Sequence, residues 1–232
     1  MKTAIGNLGM ALVVVVVSGV VAGRAPAALI APDSVIASSQ LSGADKRLAV
    51  DCINGNGLIA GMHTNASYAD TTPGPGAGQD IYWLSASKIA QWIDFAFTTG
   101  KSLDGMRVWN YSERTDLSRG VRQTDIEFYL GGSLVTTLTA QTFTQAPGGP
   151  YTGGSPTYAG EFYNFGQTIL ADHVKFTNMT NWIGYGTGGG DLIGLSEIRF
   201  NQVLNEDIPE PATMALLGLG VGCVGRYVRR RR

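Results

Sequence analysis

The sequence predicts an all-β domain, a two-sheet sandwich of jelly-roll type, and three observations carry that prediction. Apolar residues alternate with period two in several short stretches, as they do where one face of a strand is buried and the other is wet. Gly, Pro, Asn and Asp punctuate those stretches at short intervals, as turns between strands require. No stretch of the body sustains the 3.6-residue period that would bury one side of a helix.

The strands follow in order. In residues 89–97, Ile93, Phe95 and Phe97 share a face, and residues 103–111 read as the next strand. Residues 125–130 come after, with Ile126, Phe128 and Leu130 expected inward. The Gly131-Gly132 pair then predicts a tight hairpin, because such turns need positive φ at both central positions. Residues 134–139, 173–178 and 195–203 complete the set, with His173 expected on the wet face of its strand. Gly-rich loops are expected at 71–79, 146–156 and 184–190, giving eight or so strands in all.

Both ends of the chain read as processing signals. Met1-Lys2, an apolar core from residue 10 to 22, Arg24 and the triplet Ala25-Pro26-Ala27 have the form of a secretory signal peptide cleaved after Ala27. An uncleaved N-terminal anchor is the alternative. At the other end stand Pro209-Glu210-Pro211, an apolar run over residues 212–225, then Arg226 and residues 229–232, all Arg. Pro cannot donate to a ladder and fixes φ, so the triplet separates the body from the run. The run is apolar all round, as a segment facing lipid must be, and the arginines hold its end on the cytoplasmic side. This order resembles the PEP-CTERM sorting signal of exported bacterial proteins. The resemblance implies a transmembrane helix before processing and an exosortase-type sorting enzyme as partner. It places the product at the cell surface, outer membrane or extracellular matrix of a bacterium. About fourteen apolar residues are short of the roughly 20 that span a bilayer, which suits a sorting device better than a permanent anchor. The chain therefore divides into a signal peptide (1–27), a β-sandwich domain (28–207) and a sorting signal with its helix (208–232).

Between residues 28 and 208 there are 10 Lys and Arg against 17 Asp and Glu, a net charge of about −7. An acidic body excludes nucleic acid as a partner, since phosphates need a basic patch. Of the two cysteines, Cys223 lies in the tail and Cys52 in the body, so no disulfide framework exists, and Cys52 is expected as a small buried apolar residue. His63 and His173 lack metal-ligand spacing, and neither a nucleophile elbow nor an H-E-x-x-H helix occurs. The reading is of a binding protein and not an enzyme.

A second resemblance runs through the body. It is carried by Leu48-Ala-Val-Asp51-Cys-Ile-Asn54-Gly55-Asn56-Gly57-Leu58 with His63-Thr64, Gln91-Trp92-Ile93-Asp94-Phe95, Leu103-Asp-Gly-Met-Arg-Val-Trp109-Asn110-Tyr111-Ser-Glu113, Arg119-Gly-Val121 and Gly194-Leu-Ser-Glu197-Ile-Arg-Phe200. In this order they look like a discoidin (coagulation-factor type C) domain of the galactose-binding-like fold, over residues 35–200. The resemblance implies an eight-stranded jelly-roll sandwich whose first and last strands lie close together. It also implies a structural Ca²⁺ between the first loop and the last strand, with Asn54, Asn56, Thr64 and Glu197 as ligands. The alternative is a metal-free Asn-Gly turn, with Glu197 as a hydrogen-bonded strand residue.

For ligand binding, the loop after Trp109 offers Asn110, Tyr111, Arg114 and Arg119, and Trp182 offers a ring near a loop end. Aromatic faces suit the C–H faces of sugars, and Arg and Asn suit their hydroxyls. The alternative for each is a surface charge, a satisfied turn Asn or a core aromatic, and core packing is preferred for Trp92 and Trp109. The function expected is recognition of a glycan, or an extracellular polysaccharide, by loops at one end of the sandwich. The competing readings are an adhesin without a small ligand and, third, a glycoside hydrolase with paired carboxylates.

Overall fold

The computed structural model describes residues 28–41, 46–64, 81–87, 90–113, 117–147, 156–183 and 192–204. Among them lie eleven strands: β1 (Ala28–Ile30), β2 (Ser34–Ala37), β3 (Leu58–Ile59), β4 (Met62–Thr64), β5 (Trp83–Leu84), β6 (Ile93–Asn110), β7 (Val121–Leu130), β8 (Ser133–Thr142), β9 (Pro156–Tyr158), β10 (Glu161–Asn181) and β11 (Gly194–Gln202). Two short 3-10 turns, Ala49–Cys52 and Leu117–Arg119, interrupt them. The expected all-β sandwich is what forms. No helix among these residues is long and apolar enough to cross a membrane. The signal peptide, Ala27, Arg114, the 71–79 and 184–190 loops, Pro209, Glu210, Pro211, Arg226 and the C-terminal helix lie outside the described residues.

One continuously bonded sheet runs β1-β11-β6-β10-β7-β8, with β2 added to β6 and β5 to β11, while β3, β4 and β9 form a small separate sheet. The pairings between these strands are antiparallel, so short turns suffice to connect neighbours. The long strands β6 and β10 bend this sheet into two layers. Residues 93–96 of β6 pair with β2 and with 173–176 of β10, whereas 103–110 pair with β11. Register shifts in the β6–β10 pairing, between Asn164 and Ile169 and between Ala171 and His173, mark the bend, as bulges do where a strand turns a corner. β1 pairs with β11, so the first and last strands are neighbours, as the discoidin resemblance implies.

Period-two alternation decides what fills the gap between layers. Ile93, Phe95 and Phe97 of β6 are buried, as are Val174 and Phe176 of β10 and Ile198 and Phe200 of β11. Phe95 meets Phe176 edge-on at 5.3 Å between ring centroids and Phe200 at 5.7 Å, which ties three strands through one ring. Trp109 is buried as expected, and Cys52 is a buried free thiol.

Three expectations need correction. Leu130 is exposed, because it is the last residue before the β7–β8 turn and overhangs the core's edge. The segment 173–178 is no separate strand but part of a 21-residue β10 that crosses the bend. Residues 93–97 and 103–110, expected as two strands, belong to the single 18-residue β6. The Gly131-Gly132 turn is as expected, with φ of 57° and 79°.

Candidate functional site

At one end of the sandwich β6 finishes, β7 and β11 begin and β10 finishes, so four chain segments meet there. Asn110, the last residue of β6, organises the junction. Its carboxamide nitrogen donates to the carbonyls of Val121 at 2.7 Å and Thr144 at 3.0 Å, and its oxygen accepts the N–H of Tyr111 at 2.9 Å. The side chain is buried, and a Cβ at Gly120 would lie 2.6 Å from its oxygen, so the chain can pass there only as glycine. Asn110 is therefore a structural junction with its hydrogen bonds committed, not a ligand contact.

Tyr111 is also buried, and its hydroxyl donates to Glu113. Glu113 in turn pairs with Arg47 at 2.6 Å, while Arg119 stands 4.0 Å away. The Tyr111 ring lies 5.1 Å from that of Tyr82, which lies 5.7 Å from His63. Burial, reinforced by the negative charge of Glu113, pushes the Tyr111 hydroxyl well above the usual tyrosine range, so it stays a donor. Arg47, Tyr82 and Ser196 of this network were not singled out in the sequence. Ser196 bonds the Asn110 carbonyl at 2.9 Å from the next strand. Nothing local marks them, because their partners lie tens of residues away in the chain.

The tip of β10 is different. Trp182 is 39% exposed, and the Arg122 guanidinium lies 5.4 Å from its ring centroid. Two bonds hold the tip. The Trp182 N–H donates to Ser118 at 3.0 Å, and the Ile183 N–H donates to the Asn181 side chain at 3.0 Å. The buried Asn181 amide also donates to the Leu192 carbonyl at 3.1 Å, so the ring's backbone is tied to the opening of β11. Arg119 sits half-buried in the adjoining 3-10 turn. Trp182 just past β10, Arg119 in the 3-10 turn and Arg122 at the start of β7 thus lie at the same end of the sandwich. The sequence signalled Trp182 and Arg119 but not Arg122, which follows Val121 on β7 and reads as an ordinary outward strand residue.

The calcium site was expected where the first loop meets the last strand, and the loop does meet it. The Gly55 N–H points at Glu197 Oε2 at 3.3 Å, from a loop that Gly55 turns with φ of 77°. Glu197 is fully buried, and its Oε1 lies 2.7 Å from Arg199 Nη2, an ion pair set off the line a hydrogen bond needs. Arg199 donates through its other terminal nitrogen to the Ile53 carbonyl at 2.9 Å. Asn54 uses its oxygen to accept the Asn56 N–H at 2.7 Å and its nitrogen to reach Asp51 at 3.2 Å. Thr64 closes β4 beside Pro156. Ca²⁺ needs oxygens turned toward it, yet here an N–H and a guanidinium face the carboxyl group. With their oxygens turned to protein donors, Asn54 and Glu197 do not fit the metal. Burial pushes the Glu197 carboxyl up to about 8, against the opposing pulls of Arg199 and the Gly55 N–H.

Residues 207–232 match the PEP-CTERM protein-sorting motif. The chain is thus an exported protein sorted to the cell surface. The body is similar to solved structures of carbohydrate-binding modules. One is the family 32 module of C. perfringens NanJ in complex with galactose, at 13% identity and a TM-score of 0.46, covering 72% of this chain and 92% of that one. Another is a Streptococcus pneumoniae fucose binding module, at 11% identity and a TM-score of 0.48, covering 76% and 96%. A third is truncated AlyQ, which has CBM32 and alginate lyase domains, at 16% identity and a TM-score of 0.47, covering 79% of this chain and 35% of that one. No curated protein matches the chain in sequence.

Proposed function

We propose that the exported domain is a carbohydrate-binding module that stacks a sugar ring on Trp182 and hydrogen-bonds its hydroxyls through Arg119 and Arg122. The observation that carries this reading is the exposure of Trp182 at the end of a strand, held by backbone bonds on both sides and flanked by a guanidinium. A tryptophan left half in water loses the benefit of full burial, and a ligand with an apolar face and a polar rim restores it. Arg side chains present several donors in a fixed fork, which suits adjacent hydroxyls. The module binds without catalysing: Glu113, the buried carboxylate at this end, is committed to Arg47 and Tyr111. With an acidic body and a sorting motif, its target is a glycan outside the cell, such as an extracellular polysaccharide.

Native affinity electrophoresis of the full chain through gels containing neutral polysaccharides tests this. Retardation that disappears in Trp182→Ala, with no reducing ends released from the polysaccharide, is the expected result. Equal mobility of wild type and variant in every gel would remove the reading.

A further inference from the structure

The outward face of the sheet carries a second constellation, far from the Trp182 tip. The antiparallel register places Lys175 of β10 opposite both Asp94 of β6 and Glu127 of β7. The next row sets His173 opposite Tyr129. Asp94, Tyr129, Gly132, His173 and Lys175 line an open depression of about 270 Å³.

The groups are oriented by contacts within the depression and at its border. His173 Nδ1 lies 3.2 Å from Asp94, Tyr129 donates to Glu127 at 2.6 Å, and Lys175 Nζ sits 4.4 Å from the centroid of the Trp92 ring. Thr177 donates to the other oxygen of Glu127 at 3.2 Å. Gly132 closes one side with backbone alone, and its place in the β7–β8 turn keeps that wall low. We infer that this depression is a second saccharide subsite, which takes one neutral hexopyranose unit against Tyr129, His173, Asp94 and Lys175.

The inference deepens the carbohydrate reading above and rests on it for the class of ligand. Three properties select a neutral sugar. The volume is below the roughly 300 Å³ at which pockets for drug-sized ligands begin, so one ring fits and a longer oligosaccharide does not. The lining holds both donors and acceptors, Lys175 and Tyr129 beside Asp94, as hydroxyls that both donate and accept require. The charges are also matched already: Lys175 stands in register with Asp94 and Glu127, two carboxylates beside one ammonium, so a ligand carboxylate would meet no surplus cation.

His173 and Trp182 stand nine positions apart along one strand direction, about 30 Å at the usual rise per residue. A single polymer chain can therefore engage both subsites, which raises avidity over either site alone.

The test is an NMR titration of the full chain with methyl β-galactopyranoside and methyl α-glucopyranoside, with methyl glucuronide as the charged control. It follows the ring resonances of His173, Tyr129 and Trp182. Saturable shifts at His173 and Tyr129 with at least one neutral glycoside, lost in the His173→Ala/Lys175→Ala variant while Trp182 still responds, are expected. That variant should also lose about tenfold or more in affinity for a polysaccharide bound by the wild type. Shifts confined to Trp182 would overturn the second subsite and leave the proposed function standing. Shifts confined to His173 and Tyr129 would keep the subsite and remove the Trp182 site. Silence at all three overturns both, and an equal response to the glucuronide overturns the neutral class.

Discussion

Two polar assemblies in this domain look alike in composition and differ in kind. At the seam of the first loop and last strand, the buried Glu197 meets Arg199 and the Gly55 N–H, while Asn54 beside them turns its side chain to Asn56 and Asp51. At the β10 tip, Trp182 and Arg122 face water. The first assembly is closed: each group that could take a ligand is already aimed at a neighbour. The second is open, and its backbone is held while its ring is not covered. The discoidin resemblance drew attention to the first place and an aromatic near a loop end to the second, but only burial and hydrogen-bond partners tell a structural device from a binding one.

The comparison can be broken at the seam first. Above about pH 8, where Glu197 is ionised, Arg199→Ala leaves its charge buried beside a lone N–H donor, and removing one member of a buried pair costs about 3–5 kcal/mol. Urea denaturation should show a loss of that order, and a loss below about 1 kcal/mol would mean that the pair is not what closes the seam.

The pH dependence follows with a somewhat smaller effect. The Glu197 pKa of about 8 in the folded protein stands above the 4.5 of an ordinary glutamate. The folded state thus holds its proton longer than the unfolded chain does. The contribution is complete below about 4.5 and is lost as pH rises through about 8, on the order of a few kcal/mol. Unfolding free energies of the wild type should fall between about pH 5 and pH 8.5, and Glu197→Gln should flatten that slope. A wild-type curve that rises over this window would contradict the assignment.

Asn110→Ala strands the carbonyls of Val121 and Thr144 and the Tyr111 N–H, a loss of about 1–3 kcal/mol. It should leave glycan affinity of the folded protein unchanged, and a selective loss of affinity at full stability would return Asn110 to the binding site. The smallest expected effect is that of the metal. The melting temperature should not move with chelator or with millimolar Ca²⁺, whereas a rise with Ca²⁺ would reopen the seam as a cation site.

Much of this was legible in the sequence because it is local. Ile93, Phe95 and Phe97 announce a strand by their spacing, and Gly131-Gly132 announce a hairpin by what only glycine tolerates. The seam was legible in part: the Asn-Gly loop and Glu197 were found together through the discoidin resemblance. What decided against calcium was Arg199, two residues further along the same strand face, and its role depends on where the loop's N–H points. Arg47, Tyr82 and Ser196 stayed hidden, since each acts across a long separation in the chain. So did the Asp94–His173–Tyr129 depression, because it exists only through the register of three strands.

The most direct test of the open-against-closed distinction is calorimetric titration of wild type, Trp182→Ala and Asn110→Ala with one polysaccharide that retards the wild type. The expected result is roughly tenfold weaker binding for Trp182→Ala at an unchanged melting temperature, and wild-type affinity for Asn110→Ala at a lowered one. The reverse pattern, with Trp182→Ala binding normally and Asn110→Ala failing to bind while fully folded, would contradict it.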